Sequence, residues 1–338
     1  MKAFNLDLLD KQIIHAVIID GRAPFSRIAA VTGVSEQTVA RRYRRMHAAG
    51  VVRVTGVPDT VLLGHSEWVV RLQCVPDAAA AVAAALARRP DTFWVQLMSG
   101  GTEIGCVVKP TDGSPDDLLL RQLPASRRIV AISAHLLLHM FRGGMDHWPG
   151  ATTALTDEQA AALSAGATAP SAGATAGDGG RPAAHPLGPD DQRLLAAIGR
   201  DGRASYAELA QATHWHESTV RRRVEDLRAS GQLYLDVDVD DTAFGITTRA
   251  HIWMSVAPAR LAAVGKAMAR HPEIPFVAAT TGSSNLMASV LCRDDEALYR
   301  YLTERIARLN GVTALEVAPI MRTAKRTATV PQPLPASA

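Results

Sequence analysis

Ser35-Glu36-Gln37-Thr38-Val39-Ala40-Arg41-Arg42-Tyr43-Arg44-Arg45-Met46 is the stretch that decides the fold of this chain. Val39, Tyr43 and Met46 fall at i, i+4 and i+7 and make one apolar stripe, while four arginines spread over the other faces. A helix of this kind docks on a small core and offers guanidinium groups outward. The pattern returns 181 residues later as His216-Glu217-Ser218-Thr219-Val220-Arg221-Arg222-Arg223-Val224-Glu225-Asp226-Leu227, with Val220, Val224 and Leu227 on the stripe.

Working outward, Leu9, Ile13, Ile14, Val17 and Ile18 mark a first helix over 6–19, stopped by Asp20-Gly21-Arg22-Ala23. Pro24 suits an early helical position, and Ile28, Ala29 and Val31 carry a second helix that ends at Thr32-Gly33. Ser35 is a good N-cap for the third, because its hydroxyl accepts from an early backbone N–H that lacks a helical partner. Two short helices joined by a glycine-containing turn, with a supporting helix before them, make a helix-turn-helix. Val51 to Thr55 then reads as a strand and gives the module a winged form. The bland alternative is a three-helix protein-interaction bundle.

Beyond the wing, strands are expected at 68–75, 92–99, 104–108 and 129–140, with helices at 77–89 and 116–123. This βαββαβ order implies a ferredoxin-like domain, an antiparallel sheet with two helices on one face and its other face requiring cover. Residues 150–186 are rich in Ala, Thr, Gly, Pro and Ser, and only 156–163 look helical, with Thr156 and Gln159 spaced as a capping box. A flexible linker of about 36 residues would span on the order of 30 to 36 Å.

The second half repeats the first. Between Asp10 and Gly50, fifteen of 41 positions are identical at the 181-residue offset, among them the D-G-R-A tetrapeptides at Asp20 and Asp201. Pro76/Pro258, Pro90/Pro272 and Gly100/Gly282 match at an offset of 182. A whole two-domain unit is duplicated. The expected fold class is α+β: a winged helix-turn-helix at 1–64, a ferredoxin-like effector domain at 65–145, a flexible linker at 146–186, a second winged helix-turn-helix at 187–245, a second effector domain at 246–326 and a tail at 327–338.

L-D-x-x-D at Leu6, D-G-R-A at Asp20, G-V-S-x-x-T-V-x-R-R from Gly33, then Gly50 and Gly64, in this order and echoed in the second half, resemble the Lrp/AsnC family of feast-or-famine transcriptional regulators. The resemblance implies a winged helix-turn-helix followed by a βαββαβ effector domain. It further implies effector domains paired through their sheets, with a small molecule, often an amino acid, bound between them. Two effector domains of one chain would then pair internally as a covalent pseudo-dimer, and assembly into a larger homo-oligomer is expected. Two departures matter. Glu103 and Asn285 stand near the central turn where family members often carry Asp, and His214-Trp215-His216 replaces the Gly-Val-Ser entry to the second recognition helix.

A DNA reader needs side chains that reach base edges and cations that hold phosphates. The candidates are Glu36, Gln37, Thr38, Arg41, Arg42 and Arg45 in the first unit, and Ser218, Thr219, Arg221 and Arg222 in the second. Arg22 and Arg203 fit a structural ion pair equally well. Gly100, Gly101, Glu103, Gly282, Ser283 and Asn285 are the candidate effector residues. Residues 1–55 hold nine Lys plus Arg against four Asp plus Glu, whereas 185–235 hold seven of each and are followed by Asp236, Asp238, Asp240 and Asp241. The first unit is therefore expected to grip DNA more strongly.

The formal net charge of +3 is too small to argue for nucleic acid by itself, so the distribution of charge carries that argument. No 18-residue uncharged apolar run and no signal-like N-terminus occur, which points to the cytoplasm and away from membranes. Cys74, Cys106 and Cys292 read as core thiols. His135 and His139 are about 13 Å apart on a strand, and His214 and His216 have no accompanying ligand set, so no metal and no cofactor is expected. An enzyme is the rival class, since sirohaem decarboxylases resemble the same two-domain architecture. Their His-Asn-Tyr-containing stretch is absent, and the central strand reads Phe93-Trp94-Val95-Gln96-Leu97-Met98. A scaffold without DNA affinity is the third class.

Overall fold

The computed structural model describes residues 4–60, 62–109, 117–143, 148–165 and 187–327. In chain order the elements are α1 (Leu8–Ile19), α2 (Phe25–Thr32), α3 (Glu36–Ala48), β1 (Val52–Pro58), β2 (Trp68–Cys74), α4 (Ala79–Ala87), β3 (Thr92–Met98), β4 (Glu103–Val108) and β5 (Ile129–Arg142). There follow α5 (Pro149–Thr152), α6 (Asp157–Ser164), α7 (Pro189–Arg200), α8 (Tyr206–Thr213), α9 (Glu217–Ala229) and β6 (Leu233–Val239). The chain closes with β7 (Thr248–Val256), α10 (Leu261–Met268), β8 (Phe276–Thr280), β9 (Leu286–Cys292), α11 (Asp295–Arg300) and β10 (Val312–Lys325). These segregate into two compact units, 1–63 with 142–245 and 64–141 with 246–338. Each unit is assembled from both halves of the duplication.

The first unit holds the two helix-turn-helix modules. Asp7 caps α1, Gly33 closes α2 in the left-handed conformation (φ 73°), and the Ser35 hydroxyl accepts from Thr38 N at the start of α3. Ile13, Ile14, Ile28, Val39 and Met46 form a fully buried core under α1–α3, as do Leu194, Ile198, Leu209, Val220 and Leu227 under α7–α9. The strand after each recognition helix pairs with its counterpart: β1 runs antiparallel to β6, from Val52↔Val239 to Pro58↔Leu233. Thr55 faces Asp236 in this register, and the two are equivalents at the 181-residue offset. A pseudo-two-fold axis therefore passes through that pair.

Three expectations are corrected in this unit. The segment taken as a flexible linker from 146 is ordered over 148–165, because its apolar side chains find a surface: Trp148, Ala151, Leu155 and Leu163 are buried. Leu155 N donates to His15 Nδ1 at 3.1 Å and Gln159 Nε2 to Val31 O at 2.8 Å, while Thr156 and Gln159 form the capping box. Residues 166–186 and the tail 328–338 lie outside the described residues. Neither Arg22 nor Arg203 takes part in a structural ion pair among the described residues; each crosses to the backbone of the other module's D-G-R-A loop. Arg22 donates to Gly202 O (2.7 Å) and Ala204 O (2.8 Å), and Arg203 to Gly21 O (2.6 Å) and Ala23 O (2.9 Å). The aspartates expected to make the second wing acidic are in part turned inward: Asp238, opposite Arg53 in the β1–β6 register, and Asp241 are buried, while Asp236 and Asp240 are half-buried.

The second unit is a closed eight-stranded barrel in the order β10-β3-β4-β2-β5-β8-β9-β7, with β7 pairing back to β10. Each half contributes the ferredoxin-like order, its last strand beside its first. β10 pairs with β3 and β5 with β8, so the two halves are joined at both edges. One core lies beneath α4 and includes Val70, Leu72 and Ile104; a second lies beneath α10 and α11 and includes Ile252, Met254 and Met268. Val69, Trp253 and Met287 pack between the sheets, which is the cover the open sheet face required. The helix expected at 116–123 is a single six-residue π-type turn, Asp117–Gln122.

Candidate nucleic-acid interface

Each recognition helix turns a stripe of three residues into the core and leaves the opposite face exposed. On α3 the exposed side chains are Glu36, Gln37, Arg41, Arg44 and Arg45; on α9 they are Glu217, Ser218, Arg221, Arg222, Glu225 and Asp226. Thr38 and Thr219 are half-buried at the helix starts. Gln37, Arg41 and Arg44 follow one another at i, i+4 and i+7 along one outer face, as Ser218, Arg222 and Glu225 do on α9.

The arginines divide into two groups. Arg42 Nη1 bonds Asp7 Oδ2 at 2.5 Å and Asp10 Oδ1 at 3.0 Å, and Arg45 Nη2 bonds Asp10 Oδ2 at 2.7 Å while lying 5.1 Å over the Phe4 ring. In the second module Arg223 repeats the Arg42 bracket on Asp191, at 2.7 and 2.8 Å. Arg42 thereby holds the Asp7 carboxyl below its ordinary range, and Arg223 does the same to Asp191. These guanidinium groups tie the recognition helix to the first helix of its module. The L-D-x-x-D spacing carried the signal: it sets two carboxylates on the start of α1, where an arginine of α3 can reach both.

Arg41 and Arg222 are different. They occupy equivalent positions, both are exposed, and among the described residues neither makes an ion pair or a hydrogen bond. Arg221 lies 4.6 Å over the Tyr206 ring and 3.8 Å from Glu217, a loose contact. Arg44 Nε donates to Ala40 O of its own helix at 3.2 Å; it was not singled out from the sequence, yet it shares the outer face with Gln37 and Arg41.

The candidate effector residues gather at two equivalent turns of the barrel. At the first, Ser99, Gly100 and Gly101 all have positive φ (51°, 76° and 86°), and a shallow cavity of about 310 Å³ is lined by Gln73, Cys74, Ser99, Thr102, Glu103 and Val130. Glu103 is buried and already engaged, accepting from Arg71 Nε at 2.6 Å and Ser99 Oγ at 2.7 Å. At the second, Gly282 approaches His135 so closely that a Cβ would sit 2.4 Å from its Nδ1. The Ser283 carbonyl accepts from Ser255 Oγ, and Asn285 bonds both Val256 N and Val256 O at 2.8 Å. The Asn285 side chain thus clamps a strand end.

Paired recognition helices on one unit, each with an unpaired arginine in the same place, define a DNA-binding regulator in duplicated form. Residues 6–47 and 190–228 match the AsnC-type helix-turn-helix domain, and residues 249–330 match the Lrp/AsnC ligand binding domain. The chain thus carries two AsnC-type helix-turn-helix domains and an Lrp/AsnC ligand binding domain, and it resembles the Lrp/AsnC transcription regulators in a tandem arrangement of their two-domain unit. It is similar to the HTH-type transcriptional regulator FL11 of Pyrococcus horikoshii, 28% identical over 147 residues that cover 43% of this chain and 97% of that protein. It is also similar to the regulator LrpA1 of Halobacterium salinarum, 26% identical over 37% of this chain and 88% of that one. Among solved structures, the siroheme decarboxylase NirDL superposes over 95% of this chain and 93% of its own, with a TM-score of 0.62 and 14% identity, a likeness of fold alone. Among the described residues no helix is long and apolar enough to cross a membrane.

Proposed function

We propose that this chain is a sequence-specific, double-stranded-DNA-binding regulator of transcription in the cytoplasm, tuned by a small molecule at its effector barrel. The observation that carries this reading is the equivalence of Arg41 and Arg222: of the arginines on the two helices, these are exposed, unpaired and related by the pseudo-two-fold axis. Glu36, Gln37, Thr38, Ser218, Thr219 and Arg221 lie on the same or adjoining faces and complete the reading surface. Arg42 and Arg45 contribute by bracing the helix and, for the exposed Arg45, by adding positive charge near phosphates. The positive-φ turn and its cavity support the first turn, at Gly100, Gly101 and Glu103, as the effector position. An amino acid suits it, because turn N–H groups can donate to its carboxylate while Glu103, held by Arg71 and Ser99, fixes the turn.

The test is DNA-binding anisotropy across a salt series for Arg41→Ala, Arg222→Ala, Arg42→Ala and Arg223→Ala. Arg41→Ala and Arg222→Ala lower affinity by about tenfold or more with unchanged thermal unfolding, since a good bidentate base contact is worth about 1–3 kcal/mol. Arg42→Ala and Arg223→Ala chiefly lower stability. Equal DNA loss in all four without any stability loss would overturn the assignment. The shared fold with NirDL over nearly the whole chain favours one second reading, a tetrapyrrole-binding enzyme. A Soret band appearing on titration with sirohaem, without salt-dependent DNA binding, would establish it instead.

A further inference from the structure

We infer that the two recognition helices read different half-sites, so that the DNA partner of this chain is a non-palindromic duplex. The inference rests on the DNA-binding reading above and deepens it.

A homodimeric helix-turn-helix protein presents the same side chains twice about a two-fold axis, and its operator mirrors that symmetry. Here the backbone keeps the symmetry. The β1–β6 register is centred on the equivalent pair Thr55 and Asp236, and Arg22 and Arg203 make reciprocal bonds across the axis. The two helices are therefore held as a pair of heads with one spacing and one relative orientation. What the symmetry no longer relates is the reading surface. Equivalent outer positions carry Gln37 against Ser218, Ala40 against Arg221, Arg44 against Glu225 and Arg45 against Asp226; Arg41 and Arg222 alone agree among these five. All of these side chains are exposed except that of Ala40, which is half-buried.

The differences are chemical. Gln pairs with the N6 and N7 edge of adenine, Arg with the O6 and N7 edge of guanine, and Glu accepts from the N4 amino group of cytosine. The α3 face thus carries adenine- and guanine-selecting groups with two further cations at 44 and 45. The α9 face carries two adjacent guanidinium groups, with carboxylates at 225 and 226 that phosphates repel. The half-sites share the position read by Arg41 and Arg222 and differ beside it.

The experiment is selection of duplexes from a random-sequence pool by the full chain, in parallel with the Ser218→Gln/Arg221→Ala/Glu225→Arg/Asp226→Arg variant, whose outer α9 positions copy those of α3. The intact chain is expected to enrich a motif with two unlike half-sites, and to bind it about tenfold more tightly than either palindrome built from one half. The variant is expected to enrich a palindrome of the α3 half-site. Recovery of one palindrome by both proteins, or of a motif with a single conserved half-site from the intact chain, would overturn the inference while leaving DNA binding intact. No enrichment by either protein at low salt would be the failure of the DNA-binding reading itself.

Discussion

His251 shows how much a single side chain owes to its surroundings. It sits on β7, buried, with Nε2 2.5 Å from Gln96 Oε1 and Nδ1 3.1 Å from Ser289 Oγ. The amide oxygen accepts, so Nε2 carries the proton and Nδ1 accepts from the serine hydroxyl. Burial first, and the Arg71 charge second, push its pKa down to about 4. The unfolded chain takes up this proton near pH 6.5 and the folded one does not, so protonation favours unfolding. The stability contributed, about 3 kcal/mol, is fully present above pH 6.5 and lost as pH falls towards 4. Urea unfolding at pH 7.5 and 5.0 checks this: His251→Gln, which keeps polar contacts but cannot titrate, should lose distinctly less stability between the two than the parent chain. Equal losses would refute the burial argument. Arg71 offers a second lesson, joining Glu103 of its own half to Glu316 of the other while lying 4.9 Å over Trp253. Charge pairs of this kind cost desolvation and give geometric specificity.

The entry to α9 is where an element departs from its own design. His214 takes the left-handed conformation (φ 60°) that Gly33 takes in the first module, and His216 caps the helix without a side-chain hydrogen bond where Ser35 makes one. Trp215 compensates in part, its Nε1 donating to Asp190 at 3.2 Å. A side-chain-bearing residue in this conformation costs about 1 kcal/mol, and a lost cap about as much again. His214→Gly with His216→Ser should therefore raise stability by about 2 kcal/mol, read as a higher denaturant midpoint of the first unit. An unchanged midpoint would mean that the second module is not where that unit begins to unfold. Among the described residues α5 and α6 have no counterpart after the second effector half, and they buttress α1 and α2 of the first module.

At the level of the molecule, the duplication has placed both partners of each pairing on one chain. Every unit depends on strands from both halves: β1 with β6, β10 with β3, β5 with β8. A protease site inserted within 166–186 and then cleaved should leave the two fragments co-eluting as one species of the intact mass. Both interfaces are sheet edges that would otherwise expose unpaired backbone groups. Separation into two fragments would show that covalent linkage, rather than strand pairing, holds the halves together.

The amino-acid sequence by itself determined most of the element order, the duplication and its register, the Ser35 cap and the Thr156–Gln159 capping box, because periodicity and capping are local and recur within a few residues. It also carried the resemblance to the Lrp/AsnC regulators, through short motifs at the right spacing twice over. Only the tertiary structure decided which arginines face outward and which are braced, since Asp7 and Asp10 lie some 35 residues before Arg42 and Arg45 along the chain but within bonding distance in space. The exchange of Arg22 and Arg203, the clamping of Asn285 and the docking of 148–165 escaped for the same reason. Each depends on a carbonyl, a strand end or an apolar surface supplied from a distant segment, and no pattern within a helix or strand records where that partner will be.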